Sequence, residues 1–175
     1  MIIGLISDTH IKDHAEELSS KLGNSFNNVD LILHAGDITS QGVIDELEKI
    51  APVIAVQGNV DRLEGFDLPK SQTLEKEGIK IGLIHGEVYP RGDSQQLYYL
   101  AKQLGVQILV SGHTHQPKVE EFNEVLLLNP GSPTLPRLAD PSVMTLELNK
   151  GEVEVKPIKL GEPICSALNF DQFKK

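Results

Sequence analysis

Seven side chains able to ligate a metal stand just after apolar runs in this sequence: Asp8, His10, Asp37, Asn59, His85, His113 and His115. Ile2–Ser7 runs into Asp8-Thr9-His10, Leu31–Ala35 into Gly36-Asp37, and Val53–Gln57 into Gly58-Asn59. Ile79–Ile84 runs into His85-Gly86, and Gln107–Val110 into Ser111-Gly112-His113-Thr114-His115. Histidine, carboxylate and amide donors without a thiolate suit borderline divalent ions such as Mn²⁺, Fe²⁺, Ni²⁺ or Zn²⁺. The spacing of two in Asp8-x-His10 and His113-x-His115 puts each pair on one side of an extended backbone. Asp37 follows a glycine, so the chain can turn sharply there, and its two oxygens could bridge two ions. Asn59 offers a neutral oxygen, which limits the negative charge gathered at the site. Each piece alone is common. All five together, each after a strand-like run, predict a binuclear metal site.

The elements that must position these residues follow from the same runs. If they are neighbouring parallel strands, all five ends lie along one edge of one sheet, where the crevice of open α/β sheets is found. Between them the spacing predicts a helix over Asp13–Asn27, with Ala15, Leu18, Leu22 and Phe26 on one stripe and Asp13 with Glu16 as a capping box. A second helix is expected over Gly42–Ile50, capped by Thr39 or Ser40. Val60–Gln72 reads as a loop over the site, followed by a short strand near Gln72–Glu75 and a turn at Glu77-Gly78. Asp93 with Gln96 should cap a third helix, Ser94–Leu104, which Gly105 ends. After Gln116-Pro117 come short strands: Lys118–Phe122, Val125–Leu128, Val143–Leu148 and Glu152–Ile158, the last two joined by a turn at Asn149-Lys150-Gly151. The alternation of β and α followed by a mostly β third predicts helices on a sheet, with a second, more antiparallel sheet packed against it.

A chain of 175 residues with 39% hydrophobic and 23% charged residues fits one globular domain over residues 1–175, with 161–175 as a tail. One cysteine, Cys165, allows no internal disulfide and no thiolate metal site. No apolar stretch approaches the roughly 20 residues of a membrane span, and Met1–Ile6 lacks the length and basic flank of an export signal. A cytoplasmic location is therefore expected. The net charge of −9 argues against an extended nucleic-acid or anionic-membrane surface. Bound divalent ions would supply the local positive charge a small anionic substrate needs.

Asp8-Thr9-His10, Gly36-Asp37, Gly58-Asn59-Val60-Asp61, His85-Gly86 and Gly112-His113-Thr114-His115 resemble the motif series of the calcineurin-like metallophosphoesterases. With Asn129-Pro130-Gly131-Ser132, they resemble in particular the small single-domain prokaryotic phosphodiesterases, over roughly residues 1–158. The resemblance implies a four-layer α/β/β/α sandwich of two mixed sheets flanked by helices. It implies one ion held by Asp8, His10, Asp37 and His115, and a second held by Asp37, Asn59, His85 and His113, with Asp37 bridging. The implied reaction is hydrolysis of a small phosphodiester by a metal-bridging hydroxide, with Mn²⁺ the first expectation and Ni²⁺, Fe²⁺, Zn²⁺ or Mg²⁺ the others. Asp37, Asn59 and Asp61 are the implied catalytic set, with Asp61 orienting its neighbours rather than binding metal. Many members of the superfamily carry a His after the Asn of this motif; Val60 stands there, which disfavours substrates whose leaving group needs a proton. The alternatives are a phosphomonoesterase, or a non-catalytic metal-binding scaffold resembling the retromer subunit of the same fold. A homo-oligomer is left open.

Other polar residues carry blander expectations. His34 is expected to be a hydrogen-bonded core histidine or a partner to a ligand, and His14 to face solvent on the first helix. Arg62, Arg91 and Arg137 lie in loops that could overhang the site and touch phosphate, although ordinary surface positions are the simpler expectation. Asn129 and Ser132 should shape a loop under the site. Cys165 is expected to be inert, and Ile164, Leu168 and Phe173 to cover a neighbouring surface.

Overall fold

Residues 1–161 are described by the computed structural model. The expectations for Cys165, Ile164, Leu168 and Phe173 lie outside the described residues. In chain order the elements are β1 (Ile2–Ile6), α1 (Glu16–Leu22), β2 (Leu31–His34), α2 (Gln41–Glu48), β3 (Val53–Ala55), α3 (Asn59–Leu63), β4 (Ser71–Lys76), β5 (Ile79–Ile84), α4 (Ser94–Leu104), β6 (Ile108–Val110), β7 (Pro117–Phe122), β8 (Val125–Pro130), β9 (Ser142–Asn149) and β10 (Glu152–Lys159).

Two five-stranded sheets stack face to face. One has the order β10-β9-β1-β2-β3 and the other β4-β5-β6-β8-β7. Each is mixed: β1, β2 and β3 run parallel with β9 and β10 antiparallel to them, while β5, β6 and β8 are parallel with β4 and β7 as antiparallel edges. Ile3, Leu5, Leu33, Ile81, Leu83, Val110 and Leu146 are among the side chains that fill the space between the sheets. The outer face of the first sheet packs Ile6, Ile32 and Val143 against Leu18 and Leu22 of α1, Val43, Ile44 and Leu47 of α2, and Phe26. The outer face of the second packs Ile84, Leu109 and Leu127 against Leu97 and Ala101 of α4. This is the four-layer sandwich that the resemblance implies. Among the described residues no helix is long and apolar enough to cross a membrane.

Several expectations are corrected. The five ligand-bearing ends do not share one sheet: β1, β2 and β3 belong to the first sheet, and β5 and β6 to the second. Nor does the C-terminal third form a sheet of its own. β7 and β8 complete the second sheet, while β9 returns to pair with β1, matching Gly4 to Thr145. Local pattern identifies these strands, but their partners are chosen by which apolar face each must bury. Helix α1 is shorter than Asp13–Asn27; it starts after Ala15, with no side-chain cap, and ends at Gly23. Ser40 sits at the start of α2, yet its hydroxyl donates to Ile11 O and caps nothing. The first residues of the expected Val60–Gln72 loop are instead helical, in α3. The α4 expectation holds in full: Asp93 accepts from Gln96 N at 2.8 Å, and Gly105 closes the helix with φ +67°.

Candidate metal centre

The ligand residues follow the C-terminal ends of β1, β2, β3, β5 and β6, and the two sheets bring those ends together. Five of the seven candidates have positive φ: Asp8 (53°), His10 (47°), Asp37 (56°), His113 (68°) and His115 (59°). Non-glycine residues rarely take this region, at a cost of roughly 1–3 kcal/mol each. The surrounding bonds hold them there. Asp8 N donates to Gly36 O (2.9 Å), His10 N to Asp37 O (3.1 Å), and His113 N to Asp8 Oδ2 (2.9 Å). The three loops thus fix one another's backbone, which aims the side chains inward at the ends of otherwise straight strands.

Two groups of donor atoms gather within 4.8 Å of one another: Asp8, His10 and His115, and Asp8, Asp37 and His85. His115 Nε2 is 3.3 Å from Asp8 Oδ1 and 3.3 Å from His10 Nε2. Asp37 Oδ2 lies 3.5 Å from His10 Nε2 and 3.4 Å from His85 Nε2, between the two groups. Asn59 Oδ1 is 3.2 Å from His85 Nε2. The His113 ring stands edge-on to His85, their centroids 5.1 Å apart. Each of the seven predicted ligand residues therefore lies at one locus, with Asn59 and His113 at its His85 end.

The partners of these groups suit a cation. Asp8 Oδ2 accepts from Ser7 Oγ (2.6 Å), but its buried Oδ1 has no hydrogen bond. An orphaned buried carboxylate oxygen facing two imidazole nitrogens calls for a positive centre. Asp37 Oδ1 accepts from Val60 N (2.8 Å), which leaves Oδ2 to the site. His85 Nδ1 bonds Ala35 O (2.8 Å), and His115 Nδ1 bonds Leu135 O. A carbonyl accepts only from Nδ1–H, so both rings present a bare Nε2, the usual arrangement behind a metal-binding histidine.

Charge follows the same logic. Burial pushes the Asp8 carboxyl up to about 6 against the opposing pull of His85 and Ser7. Burial also raises Asp37, but the hydrogen bond and charge of His85, with the Val60 N–H, outweigh it and hold Asp37 below its usual value. Burial lowers His85, yet its hydrogen bond to Asp37 and the charges of Asp8 and Asp37 raise it overall. Asp8 and Asp37 thus favour positive charge beside His85 Nε2, the place a divalent ion would take. Burial lowers His10 and His115, and lowers His113 to about 4, keeping these imidazoles in the neutral form that can ligate.

Asp61 plays a different part. It is fully buried, accepts from Ile38 N and Thr39 N through Oδ1 (2.8 Å each), and from Gly58 N through Oδ2 (2.9 Å). It ties the loop after β2 to the start of α3, so that Asp37 and Asn59 keep their relative place. His34 is a buried core histidine: Nδ1 accepts from Gly36 N (3.2 Å), and Nε2 meets Thr9 Oγ1 (3.2 Å). Asn129 donates to Gly112 O (2.7 Å), and Ser132 Oγ donates to Asp8 O (2.7 Å), so both shape the loops beneath the ligands. His14 is exposed just before α1, beside Glu16. Arg62 pairs with Glu87 through both guanidinium nitrogens, at 3.1 and 2.9 Å. Ser7, Thr9, Thr134 and the carbonyls of Ala35 and Leu135 are supporting groups missing from the sequence reading. The carbonyls could not be found there, because every residue has one.

A family model described as the calcineurin-like phosphoesterase superfamily domain matches residues 1–151. A probable metallophosphoesterase of Methanothermobacter thermautotrophicus is 54% identical over 170 residues, spanning 97% of this chain and 99% of that protein. Among solved structures, Vps29 of Entamoeba histolytica complexed with Zn²⁺ is 28% identical, with a TM-score of 0.69 and coverage of 91% of this chain and 99% of that one. A structure described as a novel archaeal phosphodiesterase is also 28% identical, with a TM-score of 0.69 and coverage of 90% and 100%.

Proposed function

The chain belongs to the calcineurin-like phosphoesterase superfamily, and from that premise we propose that it is a phosphodiesterase working with two divalent ions, Mn²⁺ first among them. The observation that carries the reading is Asp37 Oδ2, held between His10 Nε2 and His85 Nε2. One carboxylate oxygen shared by two donor groups fits a bridging ligand. Asp8, His10, Asp37 and His115 would hold one ion, and Asp37, Asn59, His85 and His113 the other. When bound, such a pair supplies a hydroxide nucleophile at neutral pH and positive charge for the phosphate oxygens.

The chain's own residues do the rest. The Val60 N–H fixes Asp37 by its outer oxygen. Asp61 holds the segment that carries Asn59. Val60 has no proton to give, and general acid catalysis typically contributes about 10²–10⁴-fold. The site therefore suits esters whose leaving oxygen departs without a proton, and a diester with an acidic alcohol or phenol is the best fit. The likeness to the archaeal phosphodiesterase supports the same substrate class. A cytoplasmic location belongs to this proposal.

The test is hydrolysis of bis(p-nitrophenyl) phosphate by metal-stripped protein. Adding Mn²⁺ should restore turnover, and Asp37→Asn should abolish it. Turnover that survives Asp37→Asn would sink the assignment. Metal binding without turnover on diesters, monoesters or cyclic nucleotides would favour the scaffold reading.

A further inference from the structure

The chain has three arginines: Arg62 follows Asn59 closely, and Arg91 and Arg137 lie on segments packed against the His113–His115 loop. Arg62 lies three residues after Asn59 and is taken up by Glu87. The other two share a local pattern: Tyr89-Pro90-Arg91 and Leu135-Pro136-Arg137. Each tripeptide is moored to the loop His113-Thr114-His115. Gly92, next to Arg91, packs so closely that a Cβ there would lie 2.9 Å from Thr114 Cγ2. Arg137 N donates to His115 O (3.3 Å), and Leu135 O accepts from His115 Nδ1. Both arginines are exposed, and among the described residues neither forms an ion pair. Their apolar companions are also exposed, Tyr89 at 87% and Leu135 at 51%.

An unpaired guanidinium beside an exposed apolar side chain, twice over beside one candidate metal centre, is a pattern with chemical content. Arginine presents a planar fork that matches phosphate oxygens, and it keeps its charge at any pH of interest. On a chain of net charge −9, an approaching anion needs local positive charge of this kind.

We propose that these two tripeptides are the substrate-recognition elements of the site. Arg91 and Arg137 bind the phosphate oxygens from two flanks, and Tyr89 and Leu135 receive the apolar or aromatic groups esterified to the phosphorus. The inference rests on the phosphodiesterase reading and sharpens it. Two apolar companions suit a phosphate with two organic substituents, whereas a monoester offers one.

The test separates the two claims. Titration calorimetry measures inorganic phosphate binding to the Mn²⁺-loaded wild type, Arg91→Ala, Arg137→Ala and Lys150→Ala, the last removing a charge in the distant β9–β10 turn. Each arginine variant should bind phosphate at least tenfold more weakly, with Mn²⁺ affinity and melting temperature kept, and Lys150→Ala should match the wild type. Tyr89→Ala and Leu135→Ala should leave phosphate affinity unchanged and lower kcat/KM for bis(p-nitrophenyl) phosphate severalfold, mainly through KM. Phosphate affinity indifferent to both arginines, or no measurable phosphate binding by the wild type, overturns the clamp. Binding that depends on the arginines without hydrolysis of any diester overturns the diesterase reading and leaves the clamp standing.

Discussion

At Asp8, burial lifts the carboxyl to about 6, so a proton and a divalent ion compete for the same oxygens in the mildly acidic range. His85, also raised, adds to the competition. Apparent Mn²⁺ affinity should therefore fall as pH drops through about 6, by up to roughly tenfold per unit, with proton release on binding. Calorimetry at pH 5 and 7.5 in buffers of different ionisation enthalpy checks both. His34 gives a separate pH effect on stability. Burial is the largest influence on it and pushes it down to about 3, against an ordinary 6.5. The unfolded chain takes up a proton below about 6.5 while the folded chain does not, so this histidine costs stability as pH falls from 6.5 toward 3. The slope is at most about 1.4 kcal/mol per unit. In His34→Gln, the urea midpoint should fall less steeply between pH 6.5 and 5 than in the wild type; equal slopes would show that His34 is not the group responsible. Ligand chemistry was legible from the sequence because Asp and His at strand ends are conspicuous. Asp61, Asn129 and Ser132 were legible as supports, but Ser7, Thr9 and Thr134 were not, and the Ala35 and Leu135 carbonyls could not be.

The turns between strands and helices carry the site, and they do so by leaving out atoms. A Cβ on Gly58 would lie 2.1 Å from Asp37 Oδ1, and one on Gly112 would lie 1.8 Å from Ser7 Oγ and 2.7 Å from Asp8 Oδ2. Gly58 has φ −93°, so only space, not conformation, demands glycine there. Gly58→Ala should thus cost about 1–3 kcal/mol by overpacking and weaken Mn²⁺ binding by displacing Asp37. Thermal unfolding and metal titration on the same variant read both effects, and an unshifted melting temperature would contradict the close packing. Asp61→Ala strips three backbone N–H groups of their acceptor, each worth roughly 1–3 kcal/mol when buried. It should destabilise the fold by several kcal/mol in urea titration. Helix α4 was readable to the residue because its cap, stripe and terminal glycine agree. Helix α1 was overestimated because an apolar stripe can continue through turns, as it does at Phe26. Helix α3 was missed because five residues hold too little pattern to separate a helix from a loop.

Across the whole molecule, the candidate ligands divide between the sheets. Asp8, His10, Asp37 and Asn59 follow strands of one, and His85, His113 and His115 follow strands of the other. Bound ions would cross-link the sandwich at one end, above the apolar layer between the sheets. Each ion at one hundred times its dissociation constant should add about 2.7 kcal/mol of stability, or about 5–10 °C in melting temperature for a chain of this size. Calorimetric scans with Mn²⁺ and with chelator measure the difference directly. The four layers could be foreseen, but the division of strands between sheets could not. Strand pairing is long-range: Gly4 pairs with Thr145, far along the chain.

That long-range pairing has a counterpart at the candidate ligands. Ser132 Oγ holds Asp8 O, Thr134 Oγ1 holds Thr9 O, and Leu135 O holds His115, so a strap from the last third of the chain closes over a loop from its first ten residues. A ribosome that has delivered His115 has delivered all seven ligands and none of this strap. During synthesis the candidate ligand set, with bonds such as Asp8 N to Gly36 O and His113 N to Asp8 Oδ2, would be complete before the strap arrives to close it. The strap of Ser132, Thr134 and Leu135 is therefore the last part of the site to be made.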